Sequence, residues 1–124
     1  MIEVTVEDVL IQHDEIIKKY GGIPDLRDIK LLESAVKTPF QSFNGIDFYK
    51  TDIEKAAALC RGLIKNHPFV DGNKRIGIVV MFNYLDDVGI NINATNQDVI
   101  ELGPSVAEDK DLDYIINWIK DKID

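Results

Sequence analysis

The chain has 124 residues, 45% hydrophobic and 29% charged, which suits one domain with a real core and leaves little room for a second. It has no apolar run near the roughly 20 residues of a membrane span, no basic export leader at Met1-Ile2-Glu3-Val4, and only one cysteine, Cys60, so no internal disulfide; the expected location is the cytoplasm. The net charge of −8 argues against direct nucleic-acid binding, because phosphate backbones demand a basic face.

The first predicted element is a helix. Val6, Val9, Leu10, His13, Ile16, Ile17 and Tyr20 share one helical face, Thr5 with Asp8 gives a capping signal, and Gly21-Gly22 gives a stop. His13 lies on the apolar stripe and reads as a core or boundary residue. After the turn Ile23-Pro24-Asp25, a short helix runs from Asp28 through Leu31, Leu32, Ala35 and Val36 and ends before Pro39. Residues 40–50 lack helical order. Asn44-Gly45 between aromatic residues signals a hairpin, so a loop or small β flap is expected, its aromatics packed on the core.

Thr51-Asp52-Ile53-Glu54 reads as a capping box for a third helix, with Ile53, Ala56, Ala57, Cys60, Leu63 and Ile64 on its apolar side. His67-Pro68 closes it, since a residue before proline is pushed out of the α region. A fourth helix begins near Asn73 or Lys74, reaches Val88 and stops at Gly89. Residues 76–85 are apolar almost all round, which places this helix at the centre. Thr95 to Asp98 caps a fifth helix, which Gly103-Pro104 is expected to kink or break. A last helix buries Leu112, Ile115, Ile116, Ile119 and Ile123, with Trp118 nearby. The expected fold is all-α, about six helices around a central buried one, in a single domain over residues 1–124.

The chemistry concentrates between the third and fourth helices, at His67-Pro68-Phe69-Val70-Asp71-Gly72-Asn73-Lys74-Arg75. A helix ends, a turn follows and a buried helix starts, so its first N–H groups and dipole make an anion site. Gly72 permits close approach or a positive φ. Lys74 and Arg75 oppose the positive dipole end, a conflict that a bound anion resolves. The surrounding segment adds Lys55, Arg61 and Lys65, and between positions 55 and 85 Asp71 is the only acid; this island suits a small anion. Asp71 fits a helix cap, and next to a phosphate it also fits a Mg²⁺ ligand. Asn73 can serve a phosphate oxygen or a cap. His67 stands at the mouth of the loop as a candidate general base, and Phe69 as an anchor into the core.

This stretch resembles the Fic/Doc signature, H-x-F-x-D/N-G-N-K/G-R. Tyr20-Gly21-Gly22-Ile23-Pro24, Leu31-Leu32-Glu33-Ser34-Ala35, Ala56-Ala57-Ala58 and the segment from Val106-Ala107 to Trp118 also resemble death-on-curing proteins. The resemblance implies a Fic-type helical fold that uses a nucleoside triphosphate, such as ATP, with Mg²⁺ to modify a hydroxyl of a target protein. It implies His67 as the base, Asp71 as the Mg²⁺ holder or orienting group, and Gly72, Asn73, Lys74 and Arg75 as phosphate binders. Larger Fic enzymes read G-N-G-R where this chain has Gly72-Asn73-Lys74-Arg75, and often carry a second arginine where it has Ile78. Both departures resemble the Doc branch. That branch implies transfer of the terminal phosphate, elongation factor Tu as target and a toxin role. The Fic self-inhibition pattern S/T-x-x-x-E-G/N is absent from the sequence, which implies a brake in trans: a Phd-like antitoxin docking a helix in a groove. Two alternatives stay open, adenylyl transfer by the same fold and a catalytically silent binding module.

Overall fold

Among the described residues, 3–108 and 110–123 of a computed structural model, six α-helices and one two-stranded hairpin form. Met1 and Ile2, which share the reading of the N-terminus, lie outside them. The helices are α1 (Val6–Tyr20), α2 (Ile29–Lys37), α3 (Asp52–Asn66), α4 (Asn73–Asp87), α5 (Asn96–Ala107) and α6 (Leu112–Lys122). The architecture is all-α, as expected.

Side-chain caps set most of the starts. Thr5 with Asp8 and Thr95 with Asp98 form complete capping boxes on α1 and α5. Asp28 caps α2 and Asp111 caps α6. Thr51 caps α3 through the Glu54 N–H, but the box is only half formed: the Glu54 carboxylate accepts from the Thr51 hydroxyl instead of its backbone.

α3 and α4 pack against each other at the centre, with α2 and α6 on α3, α1 on α4, and α5 against both. The expected single central helix is therefore a pair. Residues 55–60 of α3 are buried without a break, because three consecutive alanines let neighbouring helices approach on several sides. Gly77 is required at the α3–α4 contact, where a Cβ would lie 2.8 Å from Ile64 and 3.1 Å from the Cys60 carbonyl. Cys60 is fully buried, and burial pushes its thiol up to about 12, so it is a packing residue and not a nucleophile.

Three expectations change. Pro104 does not break α5, which runs unbroken from Asn96 to Ala107. The carbonyl that loses its partner belongs to Ile100, an exposed residue, and α5 runs only three residues past the proline. Ile123 lies beyond α6, 42% exposed, in a bridge with Ile92. In the flap, β1 (Ser42–Phe43) pairs with β2 (Ile46–Asp47) around Asn44-Gly45. Phe40 packs edge-on against Tyr84, but Phe43 and Phe48 stand in solvent, since a hairpin this short has no second face to bury. Lys55, itself buried, ties the flap to α3 through the Asp47 carboxylate at 3.1 Å and the Tyr49 carbonyl. No helix of the described residues is long and apolar enough to cross a membrane.

Candidate functional site

Residues 67–72 link α3 to α4. Pro68 denies His67 the right-handed helical region, and His67 ends α3 in the left-handed one, at φ 52° and ψ 55°. Its own carbonyl and that of Asn66 would otherwise be orphaned. The Arg27 guanidinium serves both, Nε donating to His67 at 2.6 Å and Nη2 to Asn66 at 2.9 Å. The same strap holds the next residues: the Arg27 and Asp28 N–H groups donate to the Pro68 carbonyl, and the Val70 N–H donates to Asp25. The His67 side chain is left exposed at the surface.

Phe69 anchors the loop, 1% exposed. The Asn73 amide clamps it from both sides, Oδ1 accepting from the Phe69 N–H at 3.0 Å and Nδ2 donating to its carbonyl at 2.9 Å. Asn73 was expected among the phosphate binders; its buried side chain is committed to the loop, and what it can offer an anion is its backbone N–H. From the other side, the buried His13 ring stacks on Phe69 at 3.6 Å, and its Nε2 lies 2.8 Å from the Asp71 carbonyl.

α4 then begins without a side-chain cap. Its N-cap is Gly72, at φ 80° and ψ 14°, and its first turn holds no acid. The other five helices all start at a capping Thr or Asp. The α4 terminus therefore keeps N–H groups, the positive dipole end and two cations, Lys74 and Arg75, unopposed by a cap. Asp71 is turned aside: Oδ1 accepts from the Gly72 N–H at 2.9 Å and Oδ2 from the Ile23 N–H at 3.3 Å. Gly22 leaves room for that carboxylate: a Cβ on it would lie 2.6 Å from Asp71 Oδ2 and push the carboxylate aside. The Arg75 guanidinium lies 3.9 Å over the Tyr20 ring, a cation–π contact that holds it at the rim.

His67, Asp71, Gly72, Asn73, Lys74 and Arg75 line one groove of about 640 Å³. Its opposite wall is α5, through Val99, Ile100, Gly103, Pro104 and Ala107. Gly103 makes room for Lys74, whose Cβ would meet a Cβ there at 3.1 Å. One end is cationic and rich in N–H groups, and the rest is mostly apolar, which is the polarity a nucleotide has from phosphates to base. The wider positive island does not converge on this groove. Lys55 is paired at the flap, and Arg61 points away to donate to the Lys110 carbonyl. Asp71 is the one carboxylate lining the groove, and among the described residues no group of three or more His, Cys, Asp or Glu could cage a metal. This donor set fits Mg²⁺, which takes one or two carboxylates together with phosphate oxygens.

Arg27, His13, Gly22 and Tyr20 are the site residues that sequence reasoning missed or read as structural. Each comes from a segment distant in the chain; the helical stripe marked His13 and Tyr20 and the Gly-Gly stop marked Gly22, but nothing local tied any of them to the loop.

Comparison with known proteins agrees with this geometry. A family model described as the Fic/DOC family matches residues 3–85, which include the whole loop. The curated protein "Toxin Doc" of Mycolicibacterium smegmatis is 39% identical over 75 residues, 60% of this chain. The matched stretch spans 58% of that relative's length.

Proposed function

The chain belongs to the Fic/DOC family, and from that membership we propose that it is the toxin of a toxin–antitoxin pair, transferring the terminal phosphate of a nucleoside triphosphate to a hydroxyl of a target protein. The observation that carries this reading is the start of α4: an uncapped helix with Lys74 and Arg75 on its first turn, facing a groove with an apolar far wall. The likeness to the mycobacterial Toxin Doc supports the toxin role, and the resemblance to the Doc branch supports elongation factor Tu as the target and a Phd-like antitoxin as the partner.

In this reading the backbone N–H groups of residues 73–75, with Lys74 and Arg75, hold the phosphates and take up the charge that builds during transfer. His67, free at the groove mouth, accepts the proton of the target hydroxyl. The hydroxyl oxygen bonds to the terminal phosphorus as the bond to the bridging oxygen breaks, and the nucleoside diphosphate leaves. Asp71 would hold Mg²⁺ with the phosphate oxygens, which supplies charge neutralisation there. To serve the ion, its carboxylate must give up the Ile23 or the Gly72 N–H that it now accepts from.

The test is intact mass spectrometry of purified elongation factor Tu after incubation with this protein, ATP and Mg²⁺, beside a His67→Ala control. A gain of one phosphate, absent from the control, is the expected result. A gain of one AMP would replace phosphoryl by adenylyl transfer. No gain on this target, nor on any protein of a whole-cell lysate, would leave a silent binding module.

A further inference from the structure

We infer that His13 is a positioning residue for the anion loop, acting through the Asp71–Gly72 peptide. This deepens the phosphate reading above and rests on it. A carbonyl oxygen only accepts hydrogen bonds, so the 2.8 Å contact requires that His13 Nε2 carry the proton and donate to Asp71. In a trans peptide the C=O and N–H point in opposite directions. With the Asp71 carbonyl drawn inward onto His13, the Gly72 N–H is turned outward, where it meets the Asp71 carboxylate.

The alternative is a flipped peptide. Gly72 sits at φ 80° and ψ 14°, the angles of the third residue in a type II turn. Flipping the peptide before it turns the Gly72 φ negative, as between type II and type I turns, and glycine accepts either sign. The flip would take the Gly72 N–H away from the Asp71 carboxylate and turn the Asp71 carbonyl oxygen outward, beside the N–H groups of residues 73–75 that face the anion. His13 selects between the two forms. Its ring cannot drift, since it is 2% exposed and stacked on Phe69 with ring planes 7° apart. It also packs closely under Gly72, where a Cβ would lie 3.4 Å from Nε2. A histidine kept only for core packing would need none of the donor geometry.

Two variants of the full chain separate donor from packing. His13→Phe keeps a stacking ring and removes the donor; His13→Gln keeps an N–H of similar reach and removes the ring. Each is titrated with Mg²⁺ and adenylyl imidodiphosphate (an ATP that is not hydrolysed), and the Gly72 amide is followed in ¹H–¹⁵N spectra of the free protein. For His13→Phe the expected result is a shifted Gly72 resonance and an affinity lower by roughly tenfold or more, the effect of a carbonyl oxygen turned toward a bound anion. His13→Gln is expected to restore both, although it is the more weakly packed of the two. An unchanged Gly72 resonance or an unchanged affinity in His13→Phe overturns the inference. So does equal loss in the two variants that tracks their melting temperatures. If the wild-type chain binds no nucleotide, the phosphate reading fails, and the Gly72 resonance alone still decides what His13 does.

Discussion

His67 combines an exposed imidazole with a backbone that its residue type disfavours. Among the described residues only Asn44 and His67 hold a positive φ without being glycine. Asn44 sits in the Asn-Gly hairpin turn, where such angles are ordinary. His67 has no such excuse, and Pro68 and the two Arg27 bonds impose the angle. Left-handed geometry costs a non-glycine residue about 1 kcal/mol or more. His67→Gly should therefore be more stable than His67→Ala by about 1 kcal/mol in urea unfolding, while both lose the transfer activity. Equal stability of the two would mean that the chain relaxes the angle. Gly22 offers a second contrast, with Gly21 as its control. Both have positive φ, so alanine at either should cost roughly 1–3 kcal/mol. Only at Gly22 does the new Cβ collide with the Asp71 carboxylate; nothing lies within 4 Å at Gly21. Gly22→Ala should weaken the Mg²⁺ dependence of nucleotide binding, and Gly21→Ala should leave it intact, which calorimetry with and without the ion would read.

At the scale of elements, the capping signals are the most informative part of the sequence. Thr95-x-x-Asp98 marks the start of α5, and its strength is measurable through pH. The Thr95 backbone N–H, then its hydroxyl, and then Lys122 hold the Asp98 carboxyl below its ordinary range. A depressed folded-state pKa contributes stability above the ordinary carboxylate value of about 3.9 and loses it as pH falls through the folded value. Asp98→Asn should thus melt below the wild type at pH 7, and the gap should close toward pH 3. A gap independent of pH would assign the effect to shape and not to charge. Helix starts, the α4 stop at Gly89 and the Asn44-Gly45 turn were legible for the same reason: each depends on a few neighbouring residues. Pro104 misled because proline is costly in mid-helix, whereas α5 runs only three residues past it. The exposure of Phe43 and Phe48 was not legible, since the default that aromatics pack assumes a surface to pack on. The nine-residue loop was legible because it is contiguous. Its supports were not: Arg27 lies 40 residues from the carbonyl it serves, and His13 lies 58 residues from Asp71. Periodicity says that His13 faces inward, but only the packing of α1 on α4 says what it meets there.

For the whole molecule, the net charge of −8 and the cationic groove work against each other over different distances. Lys74 and Arg75 act at hydrogen-bond range on whatever sits at the start of α4. The surrounding acids act over a Debye length, about 8 Å at physiological salt. A nucleoside triphosphate fits inside the first range. A single-stranded RNA must run on beyond the groove, across a surface where Lys55 is already paired with Asp47 and Arg61 is held by the Lys110 carbonyl. Each further phosphate then lies beyond Lys74 and Arg75, on a chain whose net charge is −8, with no basic track from Lys55 or Arg61 to follow. A fluorescent ATP analogue bound to the chain should accordingly be displaced by unlabelled ATP, and not by an RNA of about 20 nucleotides at equal phosphate concentration, at 150 mM salt. Lowering the salt should not rescue the RNA, because less screening lengthens the repulsion as much as the attraction. Displacement by RNA that sharpens as salt falls would require a continuous basic face, which the dispersed Lys55 and Arg61 do not make, and would count against reading the groove as a site for small anions.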